Sequence, residues 1–437
     1  MAFLRSPFFW LALALVGGLL LALSLWLRDH DALRTHNPRH RRAAVAHVDS
    51  DEPRLVRFLA STEGPARWGV VVEAPEGVPE RVVPLDLELP GLEGRFDALL
   101  DAGGFDAAER LLERVRRDEI SAERLVPLAR EELATRLASP IDVSIGQLEQ
   151  RDRLIVGVGF NYDAHAEDSD AEAGADGFVF AKHVVPTGAY AQVPLGPGPD
   201  DSLFAPLVDY EVELAFVLLE PVRLDALPAV EALAGQIAWV HANDVSDRRP
   251  IIAHGDAGFT VAKSRPGYLP LGPWLVHGRH FVPRTSHGGL DEVELSLEVE
   301  EAEPHEAGSH RQHASSREMV RGPREILDLV ARVWQASERP DGRGVSRGVV
   351  RPGGGSPTLP RGTLLLTGTP SGTAIEAPQG VDKLRLFLLG NLSTGRARAA
   401  YLGHCVRERR EMGFLSPGDL VDATIGRLGR QRWEVVR

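Results

Sequence analysis

The sequence predicts an α+β fold that is mainly β-sheet, with a small N-terminal β-rich domain, a larger catalytic domain and one preceding transmembrane helix. After Leu154 the sequence consists of apolar, strand-like segments that are separated by glycines. The chain has 44 Gly and 31 Pro, which is typical of folds rich in turns. Its 437 residues, 43% of them hydrophobic, suffice for two or three domains with buried cores.

The N-terminal apolar run predicts a single-pass anchor over residues 8–27. It carries no charge and has about the 20 residues that a transmembrane helix needs. Arg5 precedes it and several arginines follow from Arg28 onward, so the positive-inside rule places the body of the protein in the cytoplasm. A cleaved signal peptide is the alternative, but it requires a more basic start and small residues at the cleavage site.

Changes in composition divide the rest of the chain into further segments. Short strands are predicted at 55–58 and 68–72, and a helix is predicted over 105–117. A second amphipathic helix contains Ile326 and Trp334. The predicted organisation is a linker at 28–52, a small domain at 53–140, a catalytic domain at 150–437, and surface insertions near 301–316, 337–360 and 390–413.

Charge and cysteine content exclude several classes of function. The net charge is −13 and the body has no long basic run, which argues against a nucleic-acid partner. Cys405 is the only cysteine, so an internal disulfide and a multi-cysteine zinc site are both excluded.

Three acidic residues on two predicted strands indicate a metal site. The segment 209–219 alternates as a strand does, so Glu211 and Glu213 are expected to share one face. A second predicted strand, 237–244, ends in Asp244. Close carboxylates repel each other unless a positive charge lies between them. An all-oxygen set of this kind suits Mg²⁺, Mn²⁺ or Ca²⁺ better than zinc or copper.

Lysine is rare in this chain. Of the 49 basic residues only Lys182, Lys263 and Lys383 are lysines. A lysine can shift its pKa and exchange a proton, whereas an arginine stays charged. We expect Lys263 and Lys182 to be functional and Lys383 to be incidental.

Two further motifs have both a functional and a purely structural interpretation. His165 and Asp168 would face each other on one helical turn, as a pair that activates water, or they belong to a solvated acidic turn. The turn 367–372, which contains Thr369, can offer N–H groups and a hydroxyl to a carboxylate. Gly157 and Gly159 are not followed by the third glycine of a dinucleotide-binding loop. We therefore expect these glycines to let the backbone pass close beneath a packed site.

Taken together, these motifs resemble the fumarylacetoacetate hydrolase family, and they occur in the family's order from about residue 154 to the end of the chain. Each motif is weak by itself, but the ordered set is specific. The matching segments are Gly-Phe-Asn-Tyr-Asp-Ala-His (159–165), Phe-Ala-Lys (180–182), Asp-Tyr-Glu-Val-Glu-Leu (209–214), Asn-Asp-Val-Ser (243–246), Pro-Leu-Gly-Pro-Trp (270–274), Thr-Gly-Thr-Pro-Ser-Gly (367–372) and Pro-Gly-Asp (417–419).

The resemblance implies a mixed β-roll catalytic domain that is usually a homodimer and holds Mg²⁺ or Mn²⁺. It implies a metal-dependent hydrolase that cleaves a C–C bond in a 2-oxo or 1,3-diketo acid of the acylpyruvate or fumarylacetoacetate type. The implied roles are metal ligation by Glu211, Glu213 and Asp244, catalysis by His165, Asp168 and Lys263, and substrate binding by Lys182, Arg248 and Thr369.

The chain departs from the family pattern at two places. The acid paired with His165 is usually a glutamate, and here it is Asp168. After Asp244 the family tends to have Ser-Ala-Arg-Asp-x-Gln, whereas this chain has Ser-Asp-Arg-Arg-Pro-Ile at 246–251. Two alternatives therefore stay open: an oxaloacetate-type decarboxylase or keto-diacid isomerase on the same site, and a membrane-tethered binding protein without catalysis.

Overall fold

The structure is a computed structural model, and strands dominate the part of the chain that it describes. A mixed architecture of sheets and helices fits the class that the sequence predicts. The described residues are 15–22, 25, 51–61, 63–150, 152–162, 178–196, 206–286, 288–302, 310–337, 358–375, 377–378, 380–389 and 392–437.

The N-terminal part is a four-stranded meander covered by helices. The strands and the helix that the sequence predicts here are confirmed. The elements are β1 (Arg54–Leu59), β2 (Ala66–Glu73), β3 (Arg81–Pro84), β4 (Val126–Pro127), α1 (Phe96–Asp101), α2 (Gly104–Arg116), α3 (Leu133–Arg136) and α4 (Ile145–Gln150).

The middle of the chain contains two long buried strands and three short helices. The strands Val212–Leu218 and Ile237–Asn243 are buried at every position. The elements are β5 (Ile155–Gly159), β6 (Phe178–Ala181), β7 (Thr187–Gly188), β8 (Val193–Pro194), β9 (Val208–Asp209), β10 (Val212–Leu218), β11 (Val222–Arg223), α5 (Val230–Ala234), β12 (Ile237–Asn243), β13 (Ser246–Asp247), α6 (Arg248–His254), α7 (Phe259–Lys263), β14 (Pro270–Leu271) and β15 (Trp274–His277).

The C-terminal part adds a second sheet and three longer helices. The amphipathic helix that the sequence predicts around Ile326 is confirmed. The elements are β16 (Glu294–Glu300), β17 (His310–Ser315), α8 (Pro323–Ser337), β18 (Thr358–Leu359), β19 (Leu364–Leu366), α9 (Gly380–Leu389), α10 (Thr394–Arg407), β20 (Leu420–Ile425) and β21 (Gly429–Val436).

Two sheets organise these strands. The larger one has the order β4-β3-β2-β1-β15-β12-β10-β19-β5-β6, with β14 and β7 attached beside it. The strand β1 pairs with β15 in antiparallel register, so the N-terminal meander continues the same sheet. The smaller sheet has the order β17-β16-β20-β21-β8. A hydrophobic core that includes Phe216, Trp239 and Trp433 contains residues from both sheets.

The segment 209–219 is not one continuous strand, and this part of the sequence prediction is wrong. Asp209 pairs with Ser246, whereas Val212 pairs with Asn243, so the chain changes partner strands between the two positions. Glu211 lies at this interruption, where its N–H donates to the Asn243 side chain at 3.1 Å instead of to a strand. The direction of the Glu211 side chain is therefore independent of the strand alternation that sets the direction of the Glu213 side chain.

The segment predicted as a surface insertion at 301–316 contains a paired strand. Strand β17 pairs with β16 along its length, and Gln312 is completely buried. Its residues are mostly polar, which is why hydrophobic alternation does not reveal it. Most of the insertion predicted at 337–360 lies outside the described residues, and the one at 390–413 contains α10.

The transmembrane helix predicted over 8–27 is wrong, and the membrane localisation and membrane contact that depended on it are withdrawn. In the described part of the chain, none of the helices combines the length and apolar character that crossing a bilayer requires. Within the range, helix is described at 15–22 and at residue 25.

Candidate metal centre and active site

Three buried carboxylates converge where β10 begins and β12 ends. Glu211, Glu213 and Asp244 are 5%, 2% and 0% exposed. Each offers one oxygen, and these oxygens lie within 4.8 Å of one another. The N–H of Asp244 donates to the carbonyl of Glu211 at 2.9 Å, which locks the two chain segments together. The backbone N–H of Gly368 donates to Glu213 Oε2 at 2.8 Å. Backbone hydrogen bonds thus fix the position of the cluster.

Two lysines and an arginine partly neutralise this acidic cluster. Lys263 Nζ lies 2.7 Å from Glu211 Oε2 and 2.8 Å from Asp244 Oδ2. Arg248 Nη2 lies 2.6 Å from Glu211 Oε1. Lys182 forms a short contact with the other oxygen of Asp244 and donates to the Tyr268 carbonyl at 2.6 Å. All three cations are buried, so their pairing with the acids compensates for the loss of hydration.

Burial and charge determine the protonation of these groups. Burial raises the pKa of Glu213 well above its ordinary value, and the neighbouring carboxylates of Asp244 and Glu211 raise it further. Burial lowers the pKa of Lys182 despite its contact with Asp244. Burial also opposes the charge on Lys263, but the attraction of Asp244 and Glu211 outweighs it and raises the pKa. Glu213 is therefore the acid of the cluster whose negative charge the protein stabilises least.

The donor set fits a hard divalent cation. All three side chains provide oxygens, which Mg²⁺ and Mn²⁺ prefer, and the burial of the acids excludes competing water. Metal–oxygen distances of about 2.0–2.6 Å place opposite ligands roughly 4–5 Å apart, in keeping with the 4.8 Å limit of the cluster.

Asp209 orients Arg248, a role that was not predicted from the sequence. It is completely buried, and its Oδ2 accepts from Arg248 Nε at 2.7 Å. Its Oδ1 accepts from the backbone N–H of Ala374 at 2.8 Å. Arg248 also begins α6, where the Asp247 side chain accepts from the Arg249 backbone at 3.2 Å. The guanidinium is therefore held from both sides between Asp209 and Glu211.

Gln312 is a second residue that sequence analysis did not identify. Its Oε1 accepts from the Val212 N–H at 2.9 Å, and its Nε2 donates to Thr369 Oγ1 at 2.8 Å. The hydroxyl of Thr369 donates in turn to the Val212 carbonyl at 3.2 Å. One amide thus connects the strand between the two glutamates to the turn that carries Thr369. Its position in a predicted insertion concealed this role.

The acidic cluster opens into a cavity of about 820 Å³. Its polar wall contains Glu211, Arg248, Lys263 and Thr369. Lys182 lies behind Asp244 and is absent from the lining among the described residues. Lys383, expected to be incidental, lies on the cavity wall that α9 contributes.

The structure thus brings together seven of the nine residues that sequence analysis named for the site. They are Glu211, Glu213, Asp244, Lys263, Lys182, Arg248 and Thr369. The other two, His165 and Asp168, belong to 163–177 and lie outside the described residues.

Gly157 and Gly159 lie beneath aromatic rings, as the sequence analysis predicts. A Cβ on Gly157 would meet the Phe180 ring at 2.1 Å, and one on Gly159 would meet the Phe178 ring at 2.0 Å. The glycines therefore allow β5 to approach the aromatic side of the cavity closely.

Comparison with known proteins identifies the family. The model of the fumarylacetoacetate (FAA) hydrolase C-terminal domain matches residues 154–436. The chain belongs to the fumarylacetoacetate hydrolase family. The match covers the acidic cluster, the three cations around it and the strands from β5 to β21. Members of this family are enzymes, so the chain is an enzyme of this family and the non-catalytic binding protein is set aside.

Two curated relatives differ in their reactions. A 2,4-didehydro-3-deoxy-L-rhamnonate hydrolase from Sphingomonas sp. (strain SKA58) is 23% identical over 286 residues, covering 64% of this chain and 72% of that protein. A mitochondrial oxaloacetate decarboxylase from Dictyostelium discoideum is 26% identical over 234 residues, covering 53% of this chain and 87% of that protein. The family thus includes hydrolases and decarboxylases on related sequences.

A solved structure agrees with the fold. Fumarylacetoacetate hydrolase from psychrophilic Exiguobacterium antarcticum superposes with a TM-score of 0.53 at 20% sequence identity. The alignment covers 88% of this chain and 99% of that one. At this identity the likeness supports the fold alone.

Proposed function

We propose that this protein is a divalent-metal-dependent hydrolase that cleaves the C–C bond of a 2-oxo or 1,3-diketo acid of the acylpyruvate or fumarylacetoacetate type. The observation that carries the proposal is the cluster of Glu211, Glu213 and Asp244, which is buried against Lys263 and Arg248 at one end of a large cavity. A divalent ion fits there because all three ligands are carboxylate oxygens and the Glu213 carboxylate is held by a backbone N–H rather than by one of the three cations.

The reaction has a simple balance of bonds. Water adds to the distal carbonyl of the diketo acid, and the C–C bond between that carbonyl and the central carbon breaks. The electron pair stays on the central carbon as the enolate of a 2-oxo acid, which then takes up one proton. One diketo acid and one water therefore give one carboxylic acid and one 2-oxo acid.

The residues of the polar wall have distinct roles in this reaction. Mg²⁺ or Mn²⁺, held by the three carboxylates, would act as a Lewis acid toward the oxygens of the diketo acid. Lys263 and Arg248, both on the cavity wall, stabilise the negative charge of the enolate, and Lys263 is the group that can return a proton. Thr369, held by Gln312, orients the substrate carboxylate.

Lys182 receives a different role from the substrate contact that its motif implies. Its ammonium is completely buried against Asp244 and two backbone carbonyls, at 2.6 Å from Tyr268 O and 3.4 Å from Val245 O. We assign it to holding the Asp244 carboxylate in the orientation that metal binding requires. Water activation stays assigned to His165 and Asp168, and a homodimeric assembly also stays a prediction.

Decarboxylation is the second candidate, because one relative of this chain is an oxaloacetate decarboxylase. It uses the same enolate stabilisation but requires no water. The polar wall of Lys263 and Arg248 serves both reactions equally.

A panel of acids incubated in ¹⁸O-labelled water tests the proposal and separates the two reactions. The full chain with Mg²⁺ or Mn²⁺ is expected to convert acetylpyruvate to pyruvate and acetate, with one ¹⁸O in the acetate by mass spectrometry. Chelation of the metal should abolish the reaction. Carbon dioxide from oxaloacetate without cleavage of any diketo acid would instead establish the decarboxylase, and turnover of neither would refute both.

A further inference from the structure

The candidate active-site cavity has a polar end and a long apolar end. The polar end contains the charged side chains of Glu211, Arg248 and Lys263. At about 820 Å³ it falls in the upper part of the roughly 300–1,000 Å³ range of pockets that enclose drug-sized ligands. A substrate as small as acetylpyruvate would contact the polar end and leave most of this volume unfilled.

Four phenylalanines form a continuous wall beside the polar end. The Phe178 ring centroid lies 4.6 Å from that of Phe259, 5.2 Å from that of Phe160 and 5.8 Å from that of Phe180. Lys263 Nζ lies 5.3 Å from the Phe180 ring, so the aromatic wall begins where the cationic groups end. Such rings bind aliphatic and aromatic groups by burying apolar surface.

Helices α9 and α10 contribute a further apolar part of the lining, here called the roof. Leu384, Leu386 and Phe387 from α9, together with Tyr401 from α10, line the cavity. The roof is packed rather than loose, because Leu386 and Tyr401 belong to one buried cluster with Ile252 of α6. Apolar side chains from α6, α7, α9 and α10 and from strands β5 and β6 therefore line the cavity.

The charges of the lining restrict what the apolar end can accept. Among the described lining residues, Glu211 is the single acid, and it belongs to the metal cluster. Lys383 and Arg398 of α9 and α10 are the cations on the roof side. Between them and the polar end the lining is mainly aliphatic and aromatic, which suits an apolar substituent.

We propose, resting on the function proposed above, that the substrate is a 2-oxo acid carrying a long aliphatic or aryl-aliphatic substituent. Its 2-oxo carboxylate end lies against the metal cluster, Lys263 and Arg248. The substituent extends along the phenylalanine wall and beneath the roof of α9 and α10. The enzyme is thus specific for 2-oxo acids with a lipophilic substituent rather than for short acids.

A binding series tests this specificity without requiring turnover. Straight-chain 2-oxo acids from pyruvate to 2-oxodecanoate, which lack the second keto group and are not cleaved, are titrated calorimetrically into the Mn²⁺-loaded full chain. Each added methylene is expected to tighten Kd by roughly three- to fourfold until the cavity is filled. A series in which Kd does not change with chain length would overturn the inference.

A matched pair of variants on α9 locates the substituent. Leu384 lines the cavity and is 54% exposed, whereas Leu389 on the same helix is 36% exposed and is not a lining residue. Leu384→Gln is expected to weaken 2-oxodecanoate binding roughly three- to tenfold while leaving pyruvate binding unchanged. Leu389→Gln should change neither. Equal effects of the two variants would show that the chain binds elsewhere and would overturn the placement.

The outcomes also separate this inference from the proposed function. Cleavage of acetylpyruvate together with a flat binding series would keep the hydrolase and reject the lipophilic substrate. A steep binding series together with no cleavage of any 2,4-dioxo acid, including 2,4-dioxododecanoate, would keep the lipophilic binding site and reject the hydrolase.

Discussion

The three acids of this site differ in the groups that compensate their negative charge. Glu211 and Asp244 each have an ammonium or guanidinium partner within 3 Å, whereas Glu213 accepts from a backbone N–H. Glu213 is therefore the acid whose negative charge is least compensated by the protein itself. The rarity of lysine made Lys182 and Lys263 visible in the sequence, but only the structure separates the first, behind Asp244, from the second, on the cavity wall.

Glu213→Gln tests whether the uncompensated acid is kept for a cation. We expect Mn²⁺ affinity to fall at least about 100-fold, because a ligand charge is lost, while the metal-free protein becomes more stable, because a buried charge is removed. Calorimetric Mn²⁺ titration and urea unfolding of the metal-free chain measure the two effects. Glu220→Gln, an exposed acid just beyond β10, is the control and should change neither. Unchanged Mn²⁺ affinity in Glu213→Gln would contradict the assignment.

Lys182→Met tests the role assigned to the buried lysine. Removing one partner of a buried ion pair leaves Asp244 uncompensated, so the free energy of unfolding should fall by roughly 3–5 kcal/mol. Lys383→Met, at an exposed position on α9, should stay within about 0.5 kcal/mol of wild type. Urea unfolding of both variants is the measurement. A Lys182→Met protein as stable as the Lys383→Met protein would remove the structural role.

At the scale of elements, the sequence predicts the strands that are apolar and misses those that are polar. Strand β12 and helix α2 follow their hydrophobic periodicities closely. Strand β17 carries Gln312 and two histidines, so its alternation does not separate core from solvent. The change of partner strands at Glu211 depends on β13, which is distant in sequence, and local patterns do not encode it.

His241 on β12 provides a pH test of the central strand. It is completely buried with Nδ1 3.1 Å from the Gly429 carbonyl, and burial lowers its pKa from 6.5 to about 3. As the pH falls, His241 therefore takes up a proton in the unfolded chain before it does so in the folded protein. The contribution of His241 to the free energy of unfolding is fully present above pH 6.5 and is lost as the pH falls toward 3.

His241→Asn keeps a donor toward Gly429 and removes this titration. Between about pH 6 and pH 4 the wild type should lose up to ~1.4 kcal/mol per pH unit more than the variant. Chemical unfolding at a series of pH values measures this difference, and carboxylates elsewhere titrate in both proteins. Parallel pH profiles for the two proteins would contradict a buried neutral histidine.

At the scale of the whole molecule, the acidic cluster and its cations were predictable, and the environment that selects the substrate was not. Glu211, Glu213 and Asp244 belong to short motifs at the ends of the apolar strands β10 and β12. Part of the roof of α9 and α10 lies in the segment 390–413, which the sequence analysis predicts to be a surface insertion. The contact of the roof with α6 joins residues that are far apart in the chain. The pairing of β1 with β15, which joins the N-terminal meander to the main sheet, is equally long-range.

The location of a bound cation tests the central claim most directly. Crystals of the full chain grown with Mn²⁺ would be measured at a wavelength where manganese scatters anomalously. The account predicts one strong anomalous peak within about 2.0–2.6 Å of an oxygen from each of Glu211, Glu213 and Asp244. Full manganese occupancy at other positions, with the three carboxylates bonded only to Lys263, Arg248 and Lys182, would contradict it.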